Sequence, residues 1–498
     1  MRYILALDQG TTSSRSIVYN ERLEPVASSQ REFAQHFPKP GLVEHDALEI
    51  WDTIVTTARE AVARAGIALE AIAAVGITNQ RETLLVWDRK TGEPLHNAIV
   101  WQDRRTVDHM AALRDGGLEP LIQQRTGLLL DPYFSASKLH WLLGEIPGGR
   151  VRALAGELAA GTMDSWLIYK LTGGRLHLTD VSNASRTMLM NIRMGCWDPD
   201  LLALFNIPEA MLPRIVSSSG YMGVTDASFL GVPLRICSAI GDQQSALFGQ
   251  LCTKPGMGKC TYGTGCFLLV FTGVDALPSA NRLLTTVAWR IGRGALTYAL
   301  EGSVFMGGAS IQWLRDGLGI IRSAPEVNEL AARVPDSEGV ILVPAFTGLG
   351  APYWDSSARG ALVGLTRGTT SAHIARATLD GIAFQVVDVV GAMEKDAGKK
   401  MTTLRVDGGA CASDLLMQIQ ADALGIAVER PANIESTALG AAMLAGLGAG
   451  IWPNSEALSA IRSVDRRFEP ESTASERRAK LKNWKRAVKR AQKWEVSL

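Results

Sequence analysis

Apolar and polar positions alternate along this chain in two rhythms. Short apolar runs, "RYILAL" (2–7), "AIAAVGIT" (71–78), "LRICSAI" (234–240) and "TLRVDGG" (403–409), read as strands. Longer stretches carry helical spacing. In "HIARATLDGIAFQVVDVVGAMEKDAG" (373–398), Ile374, Thr378, Leu379, Ile382, Val386, Val389, Val390 and Met393 fall on one helical face, and Gly398 is placed to cap it. Leu481, Trp484, Val488 and Ala491 predict one more amphipathic helix near the end. Strands alternating with helices argue an α/β fold.

The pattern also repeats. An apolar strand meets "DQGTTSSR" (8–15) and leaves as a second strand, "SIVYN" (16–20); "KCTYGTGCFLLVF" (259–271) repeats the plan of strand, Gly/Thr turn, strand. Both turns read as hairpins, one per half. This predicts two similar domains closing on one triphosphate, with the seam near "AIGDQQSALFGQ" (239–250) and domains at 1–240 and 241–498.

Composition narrows the class. The 498 residues suffice for two or three domains with substantial cores. Lys+Arg 51 against Asp+Glu 50 leaves a net charge of +1, so no global field recruits nucleic acid. The nine Lys/Arg of the last stretch, from Glu476 onward, read as the solvated face of the final helix. The N-terminal apolar run is too short for a signal peptide and reads as a first strand. "ALGAAMLAGLGAGIW" (438–452) is shorter than the ~20 apolar residues of a membrane span and reads as a tightly packed internal helix. Six cysteines without zinc-like spacing read as buried free thiols, which places the protein in a reducing cytoplasm.

Candidate chemistry starts at the first hairpin. Its Gly/Thr/Ser turn suits an anion, yet it carries Asp8 where a phosphate loop would carry lysine. A carboxylate fits there if a divalent cation sits between it and the phosphates, so Asp8 argues for Mg2+ and nucleotide together, with Thr11, Thr12 and Arg15 as phosphate contacts. An ordinary Asp/Gly turn is the alternative. Asp242 follows an apolar strand and is a candidate base for a substrate hydroxyl, or an N-cap of the next helix. An ordinary aspartate, with a pKa of about 3.9, accepts such a proton only late, as the oxygen bonds to phosphorus. Arg81 and Glu82, in "GITNQRE", can pair with the vicinal hydroxyls of a small polyol, a surface ion pair being the plainer reading; Trp101 and Tyr133 can flank a short carbon chain. In "RVDGGACASDLLMQ", Gly409 sits in a turn that lets an adenine ring lie close, and Ser413 is placed to cap a helix.

Taken in order, "ALDQGTTSSR", "GITNQRET", "DPYFS", "NASRTML", "GDQQSALFGQ", "TYGTGCF", "ALEG", "VPAFTGLGAPYWD" and "RVDGGA" resemble the FGGY carbohydrate-kinase family over essentially the whole chain. The resemblance implies the two-domain actin/hexokinase/Hsp70-like (ribonuclease H-like) ATPase fold with a central cleft. It implies a polyol site and phosphate hairpin in the first domain, nucleotide contacts in the second, and ATP and Mg2+ as cofactors. Within the family, "NQRE" with "GTGCF" points to glycerol, phosphorylated on a terminal hydroxyl; another small polyol or ketose, or a nucleotide-gated scaffold, is the alternative. By the resemblance, Asp242 is the base and Asp8 the magnesium-associated carboxylate. Arg81, Glu82, Trp101, Tyr133, Gln243 and Phe267 line the polyol; Thr11, Thr12, Ser13 and Arg15 form the phosphate loop. Thr264, Gly308, Gln312, Gly409 and Ser413 face the nucleotide, although relatives often carry Asn where Ser413 stands. Glycerol and ATP/ADP are the expected partners, with a homo-oligomer (dimer or tetramer) and neither nucleic acid nor an integral membrane segment.

Overall fold

A computed structural model describes residues 1–495. Two mixed sheets carry the chain. The first contains β1 (Tyr3–Gln9), β2 (Ser13–Asn20), β3 (Pro25–Glu32), β4 (Ile72–Asn79), β5 (Ser219–Val224) and β6 (Arg235–Gly241) in the order β3-β2-β1-β4-β6-β5. The second contains β7 (Gly258–Tyr262), β8 (Cys266–Gly273), β9 (Leu284–Trp289), β10 (Thr297–Val304), β11 (Thr403–Asp407), β12 (Ala427–Pro431) and β13 (Val464–Phe468) in the order β9-β10-β8-β7-β11-β12-β13. Without β9 the two share one spatial plan, although the chain reaches the edge strand β5 before β6 in the first sheet and the edge strand β13 after β12 in the second. Each starts as an antiparallel three-stranded meander, adds two parallel strands and ends on an antiparallel edge. Both Gly/Thr turns are hairpins, β1–β2 and β7–β8, as the sequence predicts.

Strands buried on both faces need covering helices. The first sheet takes α1 (Ala47–Ala65), capped by Asp46 and ended by Gly66 in the left-handed region. From β6 the chain enters α2 (Asp242–Gly249). The second half supplies α3 (Gly308–Asp316), α4 (Ser371–Ala397), α5 (Asp414–Leu424), α6 (Ser436–Gly448) and α7 (Ala474–Ala491). The helix read at 373–398 is α4, ending at Gly398 with φ 61°.

Helix α6 is the Ala/Gly-rich segment, and it packs on the first sheet rather than on the second. Ser238 Oγ donates to Ala441 O at 2.8 Å and Ser219 Oγ to Leu444 O at 2.7 Å. A Cβ on Gly440 would collide with the carbonyl of Ser245 on α2, so glycine is what lets α2 and α6 cross closely. One apolar cluster runs from Ile4, Ile240 and Phe248 through Ala438–Ala445 to Leu269, Phe271 and Trp289, joining the two halves at the base of the cleft. No helix among the described residues is long and apolar enough to cross a membrane. Trp484, Ala487, Val488 and Ala491 of α7 are buried, Leu481 is half-buried, and the basic side chains of α7 other than the half-buried Arg477 are exposed. Five cysteines are buried free thiols; Cys196, on a short two-residue strand beside a turn, is exposed, contrary to expectation.

Candidate active site

The loop ends of β1, β4 and β6 lie side by side, because the parallel register pairs Asp8 with Thr78 and Gly241 with Asn79. That register brings Asp8, Arg81 and Asp242, remote in sequence, to one end of the first sheet. Asp242 is the first residue of α2, after an N-cap at Gly241; the N-cap reading is therefore displaced by one residue. Its carboxylate accepts from Gln243 N at 2.7 Å and lies 3.2 Å from Arg81 Nε.

Arg81 and Glu82 are buried, at 3% and 1% exposure, so they form no surface pair. Arg81 Nη1 and Nη2 donate to Glu301 at 2.5 and 3.0 Å, and Nη1 also donates to Gln244 Oε1 at 3.2 Å. A guanidinium carries five N–H donors, so one Nη2 hydrogen remains for a ligand. Glu82 sits at φ 62° and receives Arg186 Nε on Oε1 at 2.5 Å, while its Oε2 makes no hydrogen bond among the described residues. Burial pushes the Glu82 carboxyl up, against the downward pull of Arg186 and Arg81. Arg81 and Glu82 thus offer one donor and one acceptor side by side, the pair that a diol needs.

Three aromatic rings frame this pair. Trp101 lies edge-on to Tyr133, with centroids 5.5 Å apart, and edge-on to Phe267 at 6.3 Å. Phe267 stands on β8, so this frame spans both halves. Burial raises the Tyr133 phenol far above its ordinary value, which keeps the hydroxyl protonated. Trp101 Nε1 donates to Thr11 Oγ1 at 3.0 Å and so ties the aromatic wall to the first hairpin. Gln243 is buried and accepts from Lys259 Nζ at 2.5 Å.

At the first hairpin, Asp8 is half-buried and its carboxyl is pushed up to about 7, chiefly by burial; Arg15 pulls it down, and Glu435 and Asp242 push it further up. Glu435 and Asp242 are already paired with Arg15 and Arg81, whereas Asp8 has no ion pair among the described residues, so its carboxylate is left for a divalent cation. No cluster of three or more His, Cys, Asp or Glu ligands holds a metal among the described residues. This donor set therefore fits Mg2+ held by one or two carboxylates, water and phosphate, not a protein-only cage. Thr12 is exposed at the hairpin tip, and Ser13 Oγ accepts from Gln30 Nε2 at 2.9 Å. Arg15 is engaged by Gln30 at 2.7 Å and ion-paired to Glu435.

The second hairpin closes onto α3. Gly307 N donates to Thr264 O and Gly308 N to Gly263 O, both at 2.8 Å, which brings Thr264, Gly308 and the exposed Gln312 onto one surface. Gly408, at φ 85°, lies so close to Tyr262 that a Cβ there would meet its carbonyl oxygen at 2.7 Å; this seats Gly409 beside the same hairpin. Ser413 caps α5, as predicted, and donates to Asn328 Oδ1 at 2.5 Å. Glu301, Arg186 and Lys259 were not among the residues predicted from the sequence. Glu301 and Lys259 are each the one charge inside an otherwise uncharged strand, and that is the signal that marks them.

The two halves match, in order, the FGGY family of carbohydrate kinases, N-terminal domain, at residues 3–249, and the FGGY family of carbohydrate kinases, C-terminal domain, at residues 258–449. The chain belongs to this family. Proteins of Aromatoleum aromaticum and Deinococcus radiodurans named glycerol kinase are 59% and 56% identical to it over 494 residues, covering 99% of this chain and 99% and 98% of theirs. The crystal structure of Plasmodium falciparum glycerol kinase with ADP superposes with a TM-score of 0.93 at 37% identity, covering 100% of this chain and 99% of that one. A xylulose kinase from Lactobacillus acidophilus shares the fold at a TM-score of 0.86 and 23% identity, covering 99% and 97%.

Proposed function

We propose that this protein is a glycerol kinase, which transfers the γ-phosphoryl group of ATP to a terminal hydroxyl of glycerol to give sn-glycerol 3-phosphate and ADP. The observation that carries the reading is the placement of Asp242 3.2 Å from the buried Arg81, whose neighbour Glu82 keeps a free carboxylate oxygen inside an aromatic frame. A triol has little apolar surface, so it is selected by hydrogen bonds. A site built to pair hydroxyls rejects a ligand lacking one by about 10⁴–10⁵. Arg81 Nη2 donates to one hydroxyl, Glu82 Oε2 accepts from its neighbour, and Trp101, Tyr133 and Phe267 enclose the carbon chain, with Gln243 beside them.

Asp242 accepts the proton of the reacting hydroxyl as its oxygen bonds to phosphorus; Arg81 fixes the carboxylate for that alignment. Thr11, Thr12, Ser13 and Arg15 hold the phosphates, and Thr264, Gly308, Gln312, Gly409 and Ser413 the remaining nucleotide. Asp8 would hold Mg2+, which when bound offsets phosphate charge. The working division is a polyol half, 1–240, and a nucleotide half, 241–498, in a cytoplasmic homo-oligomer. Closure of the cleft excludes water, the competing acceptor.

Glycerol-dependent ADP release by the purified protein, compared with dihydroxyacetone, erythritol and xylulose, tests this. Glycerol is expected to lead, and chelation of Mg2+ to stop turnover until the metal is restored. A tenfold preference for xylulose overturns the substrate.

A further inference from the structure

Behind the polyol pair lies a closed chain of four buried charges, Glu82–Arg186–Glu301–Arg81. Arg186 and Glu301 have no exposed surface, and Arg81 and Glu82 almost none. Arg186 Nε holds Glu82 at 2.5 Å and its Nη2 holds Glu301 Oε1 at 2.9 Å; the same Glu301 carboxylate clamps Arg81 through both Nη atoms. Arg81, Glu82 and Arg186 belong to the first half of the chain, whereas Glu301 stands on β10 of the second sheet. Resting on the reading above, we propose that Glu301 is a positioning residue: from the opposite half, without touching substrate, it sets the orientation of Arg81 and, through Arg186, of Glu82.

Stability alone does not account for this arrangement. Replacing a buried ion-pair network by well-packed apolar residues is often neutral or stabilising. A two-point carboxylate clamp does something apolar packing does not: it fixes the plane of a guanidinium. With Glu301 on both Nη atoms, Arg81 turns Nε to Asp242 and keeps one Nη2 hydrogen for a ligand. Glu82 needs the same help, because its φ of 62° is a backbone orientation that glutamate adopts at a cost. Ser135 Oγ holds its carbonyl at 2.9 Å and Arg186 its carboxylate. The two arginines in turn keep Glu301 ionised, its carboxyl held down at about 2 despite burial. Two residues along β10 from Glu301, Ser303 pairs with Phe267, so one strand of the second half carries both the clamp and the partner of a pocket ring.

The test is the split between substrates. Glu301→Gln keeps the shape and removes the charge. Its KM for glycerol should rise at least about tenfold while the KM for Mg·ATP and the affinity for ADP stay within about threefold. Glu301→Asp, which keeps the charge, should recover most of the loss. An unchanged glycerol KM in Glu301→Gln overturns the proposal; so does an equal rise for both substrates, or a Glu301→Asp no better than the glutamine variant. Should Glu301→Gln fail to fold, Arg186→Lys, which cannot bridge both carboxylates, must show the same split. Calorimetric binding of glycerol separates this from the transfer reading. A wild type that binds glycerol without making ADP overturns the transfer reading alone. A competent wild type with an unchanged Glu301→Gln overturns the clamp alone.

Discussion

The two hairpins share a backbone and differ in wiring. Each is closed across its tip by a hydrogen bond of 2.9 Å, Gly10 N to Ser13 O in the first and Gly263 N to Gly265 O in the second. At equivalent ladder positions the first pairs Asp8 with Arg15, the second Thr261 with Phe267. The first presents charge to the cleft. The second turns its polar groups inward, with Thr261 donating to Asp407 at 2.5 Å and Lys259 to Thr261 at 2.6 Å, and leaves a ring at the cleft. Repetition of a fold therefore does not repeat its chemistry: on the proposed function, one copy would serve the metal and phosphates, the other the nucleoside and the wall of the polyol pocket.

Removing the proposed base, Asp242, should have the largest effect. Asp242→Asn is expected to lower kcat by about 10²–10⁴ with ADP binding intact, measured by steady-state kinetics and calorimetry. Giving the first hairpin the residue of the second, Asp8→Thr, should lower kcat/KM for Mg·ATP by about 10²–10³; an unchanged value would make the two hairpins interchangeable at this position. The reverse exchange, Thr261→Asp, sets a second carboxylate beside the buried Asp407, and the melting temperature should fall while the wild-type value would show that the inward wiring is dispensable. Gly408→Ala, forced into the left-handed region against Tyr262, should cost about 1–3 kcal/mol in denaturant unfolding.

The smallest effect is a pH dependence. Burial raises the Asp164 carboxyl from 3.8 to about 6, although Thr162 and Thr179 donate to it. Between those values the folded chain binds more protons than the unfolded one, so this group makes stability fall as pH rises from about 4 to 6. Asp164→Asn should flatten that slope in thermal scans.

Alternation of strands and helices, both hairpins, the caps at Gly398 and Ser413, the packed α6 and the buried stripe of α7 were legible in the chain because each depends on neighbours within a few turns. The position of Asp242 was legible too, off by one residue from the helix boundary. Glu301 was not: its partner Arg81 is 220 residues away, and only sheet register across two halves brings them together. Burial of Arg81 and Glu82 was hidden for the same reason, since an adjacent Arg and Glu look alike on a surface and in a core. Exposure of Cys196 and the extra strand β9 likewise depend on packing that local pattern does not encode.

Helix α6 has a consequence for biosynthesis. It covers a face of the first sheet, yet it leaves the ribosome only after roughly 190 further residues, tens of seconds at about 5–20 residues per second. Through that interval the nascent first half carries a bare apolar surface that no segment yet made can shield. A fragment ending after Gly249 should accordingly precipitate or be held by chaperones, and adding residues 436–448 as a separate peptide should return it to solution.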